Sequence, residues 1–151
     1  MIDFKEIPDW WAMCPKCDCK MAGQCLRHQV CMQTPKDIMT WNCVLPHAEN
    51  DGECSFFQPN EKVRMARGFR SIYNNVHAKQ ARACIRRALT DLLGSKGTYY
   101  RYRDGERLLN PRQQQKVLDI VHQYAPEAAV AFDETFEGYD FTKAACSENT
   151  V

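Results

Sequence analysis

Apolar residues recur at helical spacing in the middle of the chain and predict two consecutive helices. The first extends from Asn60, a residue type that caps helices, to Val76. The second extends from a cap at Asn75 to Leu93, because its apolar residues form a stripe three and four positions apart. Gly94 follows that stripe and ends the second helix.

The next segment has the composition of a β-hairpin over residues 99–109. Asp104 and Gly105 form the dipeptide that supplies both positive φ angles of a type I′ turn. Asn110 then caps a further helix, with proline at its first position, that ends at about Tyr124. The acidic and aromatic residues that follow are expected to form a strand or an extended arm. The pattern therefore predicts an α+β fold that is mainly helical, with one β-hairpin.

The first 59 residues show no sustained period and contain seven of the nine cysteines. Such a composition is typical of loops that are ordered by a bound metal rather than by apolar packing. We therefore expect a cysteine-rich metal-binding module at residues 1–59. A helical body with the hairpin and an acidic C-terminal arm would occupy residues 60–151, and the module would pack on it as one compact unit.

The start of the chain has neither the basic nor the apolar region of a signal peptide. No apolar run approaches the roughly 20 residues that span a bilayer. The expected location is therefore a reducing cytoplasm without membrane contact, where closely spaced cysteines are metal ligands more often than disulfides.

Charge is segregated along the chain although the net charge is only +1. Residues 1–61 carry a net charge of −4, residues 62–116 of +11 and residues 117–151 of −6. Because arginine binds phosphate through paired N–H groups, the basic middle predicts contact with nucleic acid. Pairing with the acidic ends of the chain is the alternative. The predicted nucleic-acid-binding residues are Arg82, Arg86, Arg87, Arg101 and Arg103.

The two-residue spacing between Cys14 and Cys17 is that of a metal knuckle, in which two thiolates bind one ion. Other side chains that could complete a tetrahedral site are Cys19, Cys25, Cys31, Cys43, Cys54 and His28. Because the donors outnumber four, spacing alone leaves the set of ligands open.

Several short motifs occur together along nearly the whole chain: Cys14-x4-Cys19-x5-Cys25-Leu26-Arg27-His28, Cys54-Ser55-Phe56-Phe57, Lys62-Val63-Arg64-Met65-Ala66, and Tyr99-Tyr100-Arg101 with Gly105-Glu106. This combination resembles an uncharacterised bacterial family that is known only as a domain of unknown function. The resemblance implies no activity, substrate or catalytic residue. It does imply four metal ligands, Cys14, Cys19, Cys25 and Cys54. The two-residue spacing between Cys14 and Cys17 conflicts with this set and makes Cys17 the first substitute.

Zinc is the expected ion, because four thiolates form the usual closed structural zinc site. An iron–sulfur cluster takes the same ligands, and a metal-free group of reduced or oxidised thiols is the third alternative. No catalytic motif is found. We therefore expect a non-enzymatic metal-binding protein that contacts nucleic acid or a protein partner through the arginine-rich middle. A regulatory role is one form that this function could take. The alternative function is an iron–sulfur or thiol redox component of an enzyme system.

Overall fold

Two units of mixed helix and strand account for residues 2–143, the part of the chain that the computed structural model describes. The N-terminal unit contains residues 2–62 and 141–143, and the second unit contains residues 63–140. The predicted α+β class is therefore confirmed. No helix within residues 2–143 combines the length and the apolar character needed to cross a membrane.

Much of the N-terminal unit is irregular, as its composition predicts. It contains a short helix, α1 (Leu26–Met32), and a hairpin of two strands, β1 (Glu49–Asn50) and β2 (Glu53–Cys54). Asp51 and Gly52 turn this hairpin with φ angles of 51° and 84°, as a type I′ turn requires. Short 3-10 turns lie at Phe4–Glu6, Ala22–Gln24 and Pro46–Ala48.

Arg27, in the first turn of α1, is the only arginine among the first 62 residues and is 1% exposed. Its guanidinium donates to the carbonyls of Ala12 at 2.6 Å, Phe56 at 2.8 Å and Lys143 at 3.0 Å. Its central carbon lies 4.5 Å from the ring centroid of Trp11, which is fully buried. A buried cation needs such hydrogen bonds to offset its lost hydration. Arg27 thereby holds three distant segments of the chain together.

Backbone hydrogen bonds attach the cysteine-bearing segments to α1. The N–H of Cys14 donates to the carbonyl of Arg27 at 3.1 Å. The N–H of Leu26 donates to the carbonyl of Gln58 at 2.7 Å, shortly after Cys54 in the chain. The start of α1 therefore lies between the two segments that carry the predicted metal ligands.

In the second unit, β3 (Val63–Arg67) is the central strand of a three-stranded antiparallel sheet, followed in the chain by α2 (Lys79–Leu93) and α3 (Lys96–Arg103). Strand β4 (Leu108–Leu109) pairs with one edge of β3. Helix α4 (Pro111–Tyr124) precedes β5 (Glu134–Gly138), which pairs with the other edge and confirms the predicted extended segment. The core of this unit consists of Ala66, Phe69, Ile72, Val76, Ile85, Leu89, Tyr99, Leu109, Val117 and Val121.

The helix predicted from Asn60 to Val76 is wrong, because β3 and a 3-10 turn at Arg70–Asn75 occupy this segment. Gly68 ends the strand with a φ of 72°. The carboxylate of Asp133 accepts two backbone N–H groups at the start of the turn. Strand pairing on both edges of β3 supplies hydrogen bonds from distant residues, which outweigh the local helical spacing.

The other two predicted helices are confirmed with small changes of boundary. Helix α2 begins at Lys79, four residues after the predicted cap, and ends as expected at Gly94, whose φ is 93°. Helix α4 begins with a complete capping box, in which Asn110 and Gln113 bond to each other's backbone N–H groups. The local cap chemistry of α4 was thus sufficient to predict it.

The hairpin predicted at residues 99–109 is wrong, because α3 occupies most of this segment. The Ser95 side chain caps the helix, and Gly105 ends it with a φ of 83°. The N–H groups of Gly105 and Glu106 donate to the carbonyls of Tyr102 and Arg101, at 3.2 and 2.9 Å, which is a Schellman motif. An Asp-Gly pair can end a helix as well as form a hairpin turn. Here the N-terminal cap at Ser95 favours the helix.

Replacing Gly105 by Ala should lower the free energy of unfolding of the second unit by about 1–2 kcal/mol, because a side chain at positive φ is strained. The added Cβ would also lie 2.8 Å from Cγ of Arg67. Urea denaturation followed by helical circular dichroism measures this loss, since α2, α3 and α4 lie in this unit. The matched control is Gly97→Ala inside α3, whose Cβ would meet nothing closer than 4.0 Å. It should stabilise by about 0.5–1 kcal/mol, and an equal loss in both variants would contradict helix termination at Gly105.

Replacing Arg27 by Lys should destabilise the N-terminal unit by about 3 kcal/mol, because one ammonium leaves at least two buried carbonyls without their donors. Urea denaturation followed by tryptophan fluorescence measures this loss, since Trp10, Trp11 and Trp41 all lie in that unit. The control is the reverse exchange at an exposed position, Lys36→Arg, with an expected change within about 0.5 kcal/mol. Equal stability of both variants would show that Arg27 does not hold these segments.

Candidate functional site

A small cavity in the N-terminal unit is lined by the four cysteines that the family resemblance implies as ligands: Cys14, Cys19, Cys25 and Cys54. Its volume is about 20 Å³, which is room for a single water molecule or ion. Other side chains that line it include Lys16, His28 and Glu49. Cys146 lies outside the described residues.

Three local elements position the four cysteines. Cys14 is attached to α1 through its backbone N–H, as described above, and Cys25 immediately precedes that helix and is buried. Cys19 accepts a backbone hydrogen bond from Ala22 at 3.1 Å within a turn. Cys54 ends β2 and is held by its pairing with β1. Residues far apart in the chain therefore reach the same cavity.

The four thiols are close enough to affect one another electrostatically. Burial raises the pKa of the Cys14 thiol above its ordinary value, and the nearby Cys25, Cys19 and Cys54 raise it further. A hydrogen bond from the backbone N–H of Lys16 to this sulfur acts in the opposite direction on the pKa. The Cys14 thiol therefore loses its proton less readily than an exposed cysteine does.

Lys16 brings a positive charge to the same cavity. Its ammonium lies 2.5 Å from a carboxylate oxygen of Glu49 and 3.3 Å from the carbonyl of Pro46. The other carboxylate oxygen of Glu49 accepts the N–H of Gly52 at 2.9 Å, within the β1–β2 turn. This ion pair ties the knuckle between Cys14 and Cys17 to the hairpin that carries Cys54.

His28 also lines the cavity and is a fifth possible metal ligand, which the predicted set of four ligands does not include. Its Nδ1 lies 3.1 Å from the carbonyl oxygen of Cys14. Because a carbonyl only accepts, Nδ1 carries the proton in this contact, so Nε2 is the ring nitrogen that could bind a metal. In the sequence, the spacing of three residues between Cys25 and His28 is the feature that indicates His28 as a possible metal ligand.

The donors share a cavity but are not arranged as a preformed metal site. Within residues 2–143, no three Cys, His, Asp or Glu side chains converge at metal-binding distances. Zinc–sulfur bonds are about 2.3 Å long, so four ligands must approach one another closely. Metal binding at this cavity would therefore have to draw the sulfurs inward.

The remaining cysteines of this region, Cys17, Cys31 and Cys43, do not line the cavity. Cys17 is exposed, and its thiol donates to the carbonyl of Pro15 at 3.5 Å. The exposed Cys43 donates to the carbonyl of Trp41 at 3.6 Å. Burial raises the pKa of the Cys31 thiol, and Cys43 is the next largest cause. The predicted substitute ligand, Cys17, thus lies outside the group of four.

A second cavity lies in the second unit, and we call it the arginine cleft. Its volume is about 410 Å³, and it is lined by Arg70, Tyr73, Arg82, Arg86, Tyr99 and Arg103. Three of the predicted nucleic-acid-binding residues, Arg82, Arg86 and Arg103, therefore lie together. Arg70 was not among the predicted residues, because only the 3-10 turn that replaces the predicted helix brings it there.

The other two predicted arginines lie outside the cleft. Arg87 lines a neighbouring cavity of about 270 Å³ that shares Arg86 and Tyr99 with the arginine cleft. Arg101 lines neither of these cavities, and its Nε lies 4.0 Å from a carboxylate oxygen of Glu106. The exposed Arg101 therefore has an acidic neighbour within its own turn.

The arginines of the cleft differ in how their charge is compensated. One oxygen of Asp104 accepts Nε of Arg103 at 2.6 Å and Nε of Arg70 at 2.9 Å. These two bonds, that of Arg103 first, lower the pKa of the Asp104 carboxyl to about 2. Arg82 instead donates to the backbone carbonyls of Val76 and Tyr73.

Arg86 has neither kind of partner. Its guanidinium makes no hydrogen bond or ion pair with another residue in the described part of the chain, although its backbone carbonyl accepts the hydroxyl of Thr90 at 2.8 Å, and the residue is exposed. It lies four residues after Arg82 on α2, so the two side chains emerge from the same helix face. The cleft thus contains one arginine without a carboxylate, Arg82, and one whose guanidinium has no protein partner among the described residues, Arg86.

Two tyrosines complete the lining of the cleft. The hydroxyl groups of Tyr73 and Tyr99 are 2.6 Å apart. Burial raises the pKa of both phenols, while Arg86 and Arg103 act in the opposite direction on each of these pKa values. Both phenols stay protonated at neutral pH, so the cleft presents N–H and O–H donors.

No curated protein and no solved structure gives a significant match to this chain. A family described only as a family of unknown function, DUF6078, matches residues 1–141. This match agrees with the resemblance inferred from the cysteine and aromatic motifs. Because the match extends over nearly the whole sequence, the chain belongs to this family of unknown function, DUF6078.

Proposed function

We propose that this chain is a non-enzymatic metal-binding protein whose N-terminal unit binds one zinc ion through Cys14, Cys19, Cys25 and Cys54. The supporting observation is that these four thiols, from three separate places in the sequence, line one cavity with room for a single ion. Four thiolates satisfy the tetrahedral preference of zinc and leave no position for a substrate. The role of the ion is therefore structural.

The surroundings of the cavity suit a thiolate site. The backbone N–H of Lys16 bonds to the sulfur of Cys14, and such N–H groups stabilise metal-bound thiolates. The ion pair between Lys16 and Glu49 at the edge of the cavity holds the Cys14 loop beside the hairpin that carries Cys54. Zinc would also join Cys54 to the loop from Cys14 to Cys25, which has little regular structure of its own. Its binding free energy would then contribute to the folding of this unit.

The arginine-rich middle supports the second part of the proposal, which is contact with an anionic partner, first of all nucleic acid. Several guanidinium groups face one cleft, and Arg86 has no protein partner there among the described residues. Guanidinium groups bind phosphate oxygens through paired, charge-assisted hydrogen bonds. The zinc would thus stabilise the N-terminal unit, while the second unit binds the partner.

Protein purified without oxygen should contain one zinc ion per chain. Cys25→Ser and Cys54→Ser should each reduce the zinc content several-fold, because three thiolates and a hydroxyl bind zinc poorly. Elemental analysis measures the content. Removing zinc from the unaltered chain should also destabilise the N-terminal unit. The expected loss is about 4 kcal/mol, compared with the same protein in the presence of free zinc at 1,000 times the Kd. Tryptophan fluorescence during urea denaturation follows this loss.

The matched controls are Cys17→Ser, outside the cavity, and Cys84→Ser on α2, both of which should retain one zinc ion. Equal zinc content in Cys54→Ser and Cys17→Ser would contradict the proposed ligands. Loss of zinc from Cys17→Ser but not from Cys19→Ser would show that Cys17, and not Cys19, is the fourth zinc ligand. Iron with visible absorbance in place of zinc would favour the iron–sulfur alternative.

The unaltered chain should bind a single-stranded oligonucleotide with an affinity that falls steeply as salt rises, because bound phosphates release counterions. Reversing two charges with Arg86→Glu and Arg87→Glu should weaken this binding at least tenfold, which fluorescence anisotropy over a series of salt concentrations would measure. The control with the same change of net charge is Lys36→Glu with Arg112→Glu, two exposed residues that line neither the arginine cleft nor its neighbour. Equal weakening in both double variants would show that only net charge matters.

A further inference from the structure

We infer that the arginine cleft binds a terminal phosphate on a nucleoside, a phosphomonoester such as the 5′ end of a nucleic-acid strand or of a free nucleotide. This inference rests on the anionic partner proposed above and names the part of it that enters the cleft. A phosphodiester within a strand carries one negative charge and two free oxygens. A terminal phosphate carries three free oxygens and, near neutral pH, a charge of about −1.5 to −2.

The positive charge of the cleft matches a terminal phosphate better than a phosphodiester within a strand. Four guanidinium groups line it, and Asp104 compensates one of their charges through its bonds to Arg70 and Arg103. The carboxylate of Asp133 also lies near the Arg70 guanidinium, whereas Arg82 and Arg86 have no bonded carboxylate among the described residues. A single phosphodiester would compensate only one of the charges of Arg82 and Arg86, whereas a phosphate dianion would compensate both.

The hydrogen-bonding groups of the cleft also suit a phosphate with three free oxygens. The Tyr73 and Tyr99 hydroxyls share one hydrogen bond, so one phenolic hydrogen of the pair is left to donate to a ligand. The guanidinium of Arg86 has all its N–H groups available for a ligand, since none bonds to another described residue. Arg82 uses Nε and Nη2 for backbone carbonyls, which fixes the guanidinium and leaves Nη1 for a ligand. Hydrogen-bond donors on several sides of one cavity can surround the phosphate at the end of a strand. A phosphate within a strand is harder to surround, because the strand must both enter and leave the cavity.

The neighbouring cavity provides a place for the nucleoside. It adjoins the cleft through Arg86 and Tyr99 and adds about 270 Å³ to a cleft of about 410 Å³. Both volumes together fall within the range of pockets for small ligands, about 300–1,000 Å³. Tyr100 lines this cavity with Arg103 over its ring, 4.5 Å from the centroid, and Asp91 offers a carboxylate that can accept hydrogen bonds from a base or sugar.

The test compares two oligonucleotides of one sequence, labelled at the 3′ end, with a 5′-phosphate or a 5′-hydroxyl group. Fluorescence anisotropy at fixed salt should show at least tenfold tighter binding of the 5′-phosphate strand. A nucleoside 5′-monophosphate should displace this strand, and the same nucleoside without phosphate should not. Arg86→Gln should abolish the preference, because Arg86 supplies the donors that no protein group uses. Arg112→Gln, with the same change of charge outside the cleft, should keep the preference.

The outcomes separate this inference from the proposed function. Equal binding of both strands would overturn the terminal-phosphate site and leave nucleic-acid contact in place. Binding of neither strand nor nucleotide would overturn both. Binding of the nucleotide alone would support the cleft and overturn nucleic-acid contact. A preference that persists in Arg86→Gln, with circular dichroism showing an unchanged fold, would remove the arginine cleft as its source.

Discussion

The guanidinium group of Arg27 is the interaction on which the N-terminal unit depends. This unit has little regular secondary structure, so few of its segments are held by strand pairing or by helix packing. One buried cation instead bonds to the carbonyls of Ala12, Phe56 and Lys143 and lies against the ring of Trp11. Arg27 also accepts the backbone N–H of Cys14, and it follows Cys25 by two residues. The same turn of helix therefore fixes the fold and positions the thiols.

The arginines of the two units show how burial and partners divide structural from binding roles. Arg27 is buried, and at least three of its N–H groups bond to backbone carbonyls, so it is committed to the fold. Arg82 is intermediate, because it bonds to two carbonyls and also lines a cleft. Arg86 lines the same cleft with no protein partner in the described residues. The more N–H groups a protein leaves without partners, the more it can offer to a ligand.

Helix caps were predictable from the sequence where the local signals agreed, whereas the Asp104-Gly105 pair was misinterpreted as a hairpin turn and long-range strand pairing was not predicted. The capping box at Asn110 and the terminating Gly94 predicted two helices, because both signals act within one helical turn. The segment from Val63 to Arg67 has helical spacing but pairs with strands on both edges, which only the distant partners decide. The family resemblance implied four cysteines that share a cavity, which their spacing alone did not single out, whereas the place of Arg70 in the cleft required the correct fold of its turn.

The N-terminal unit is discontinuous along the chain. Residues 2–62 are followed by all of the second unit before residues 141–143 return to the first, where the carbonyl of Lys143 receives its bond from Arg27. During synthesis, this carbonyl leaves the ribosome after every residue of the second unit. The unit that is made first therefore cannot complete its hydrogen bonds until the second unit has also been made, so it does not follow the usual order in which N-terminal parts finish folding early in synthesis.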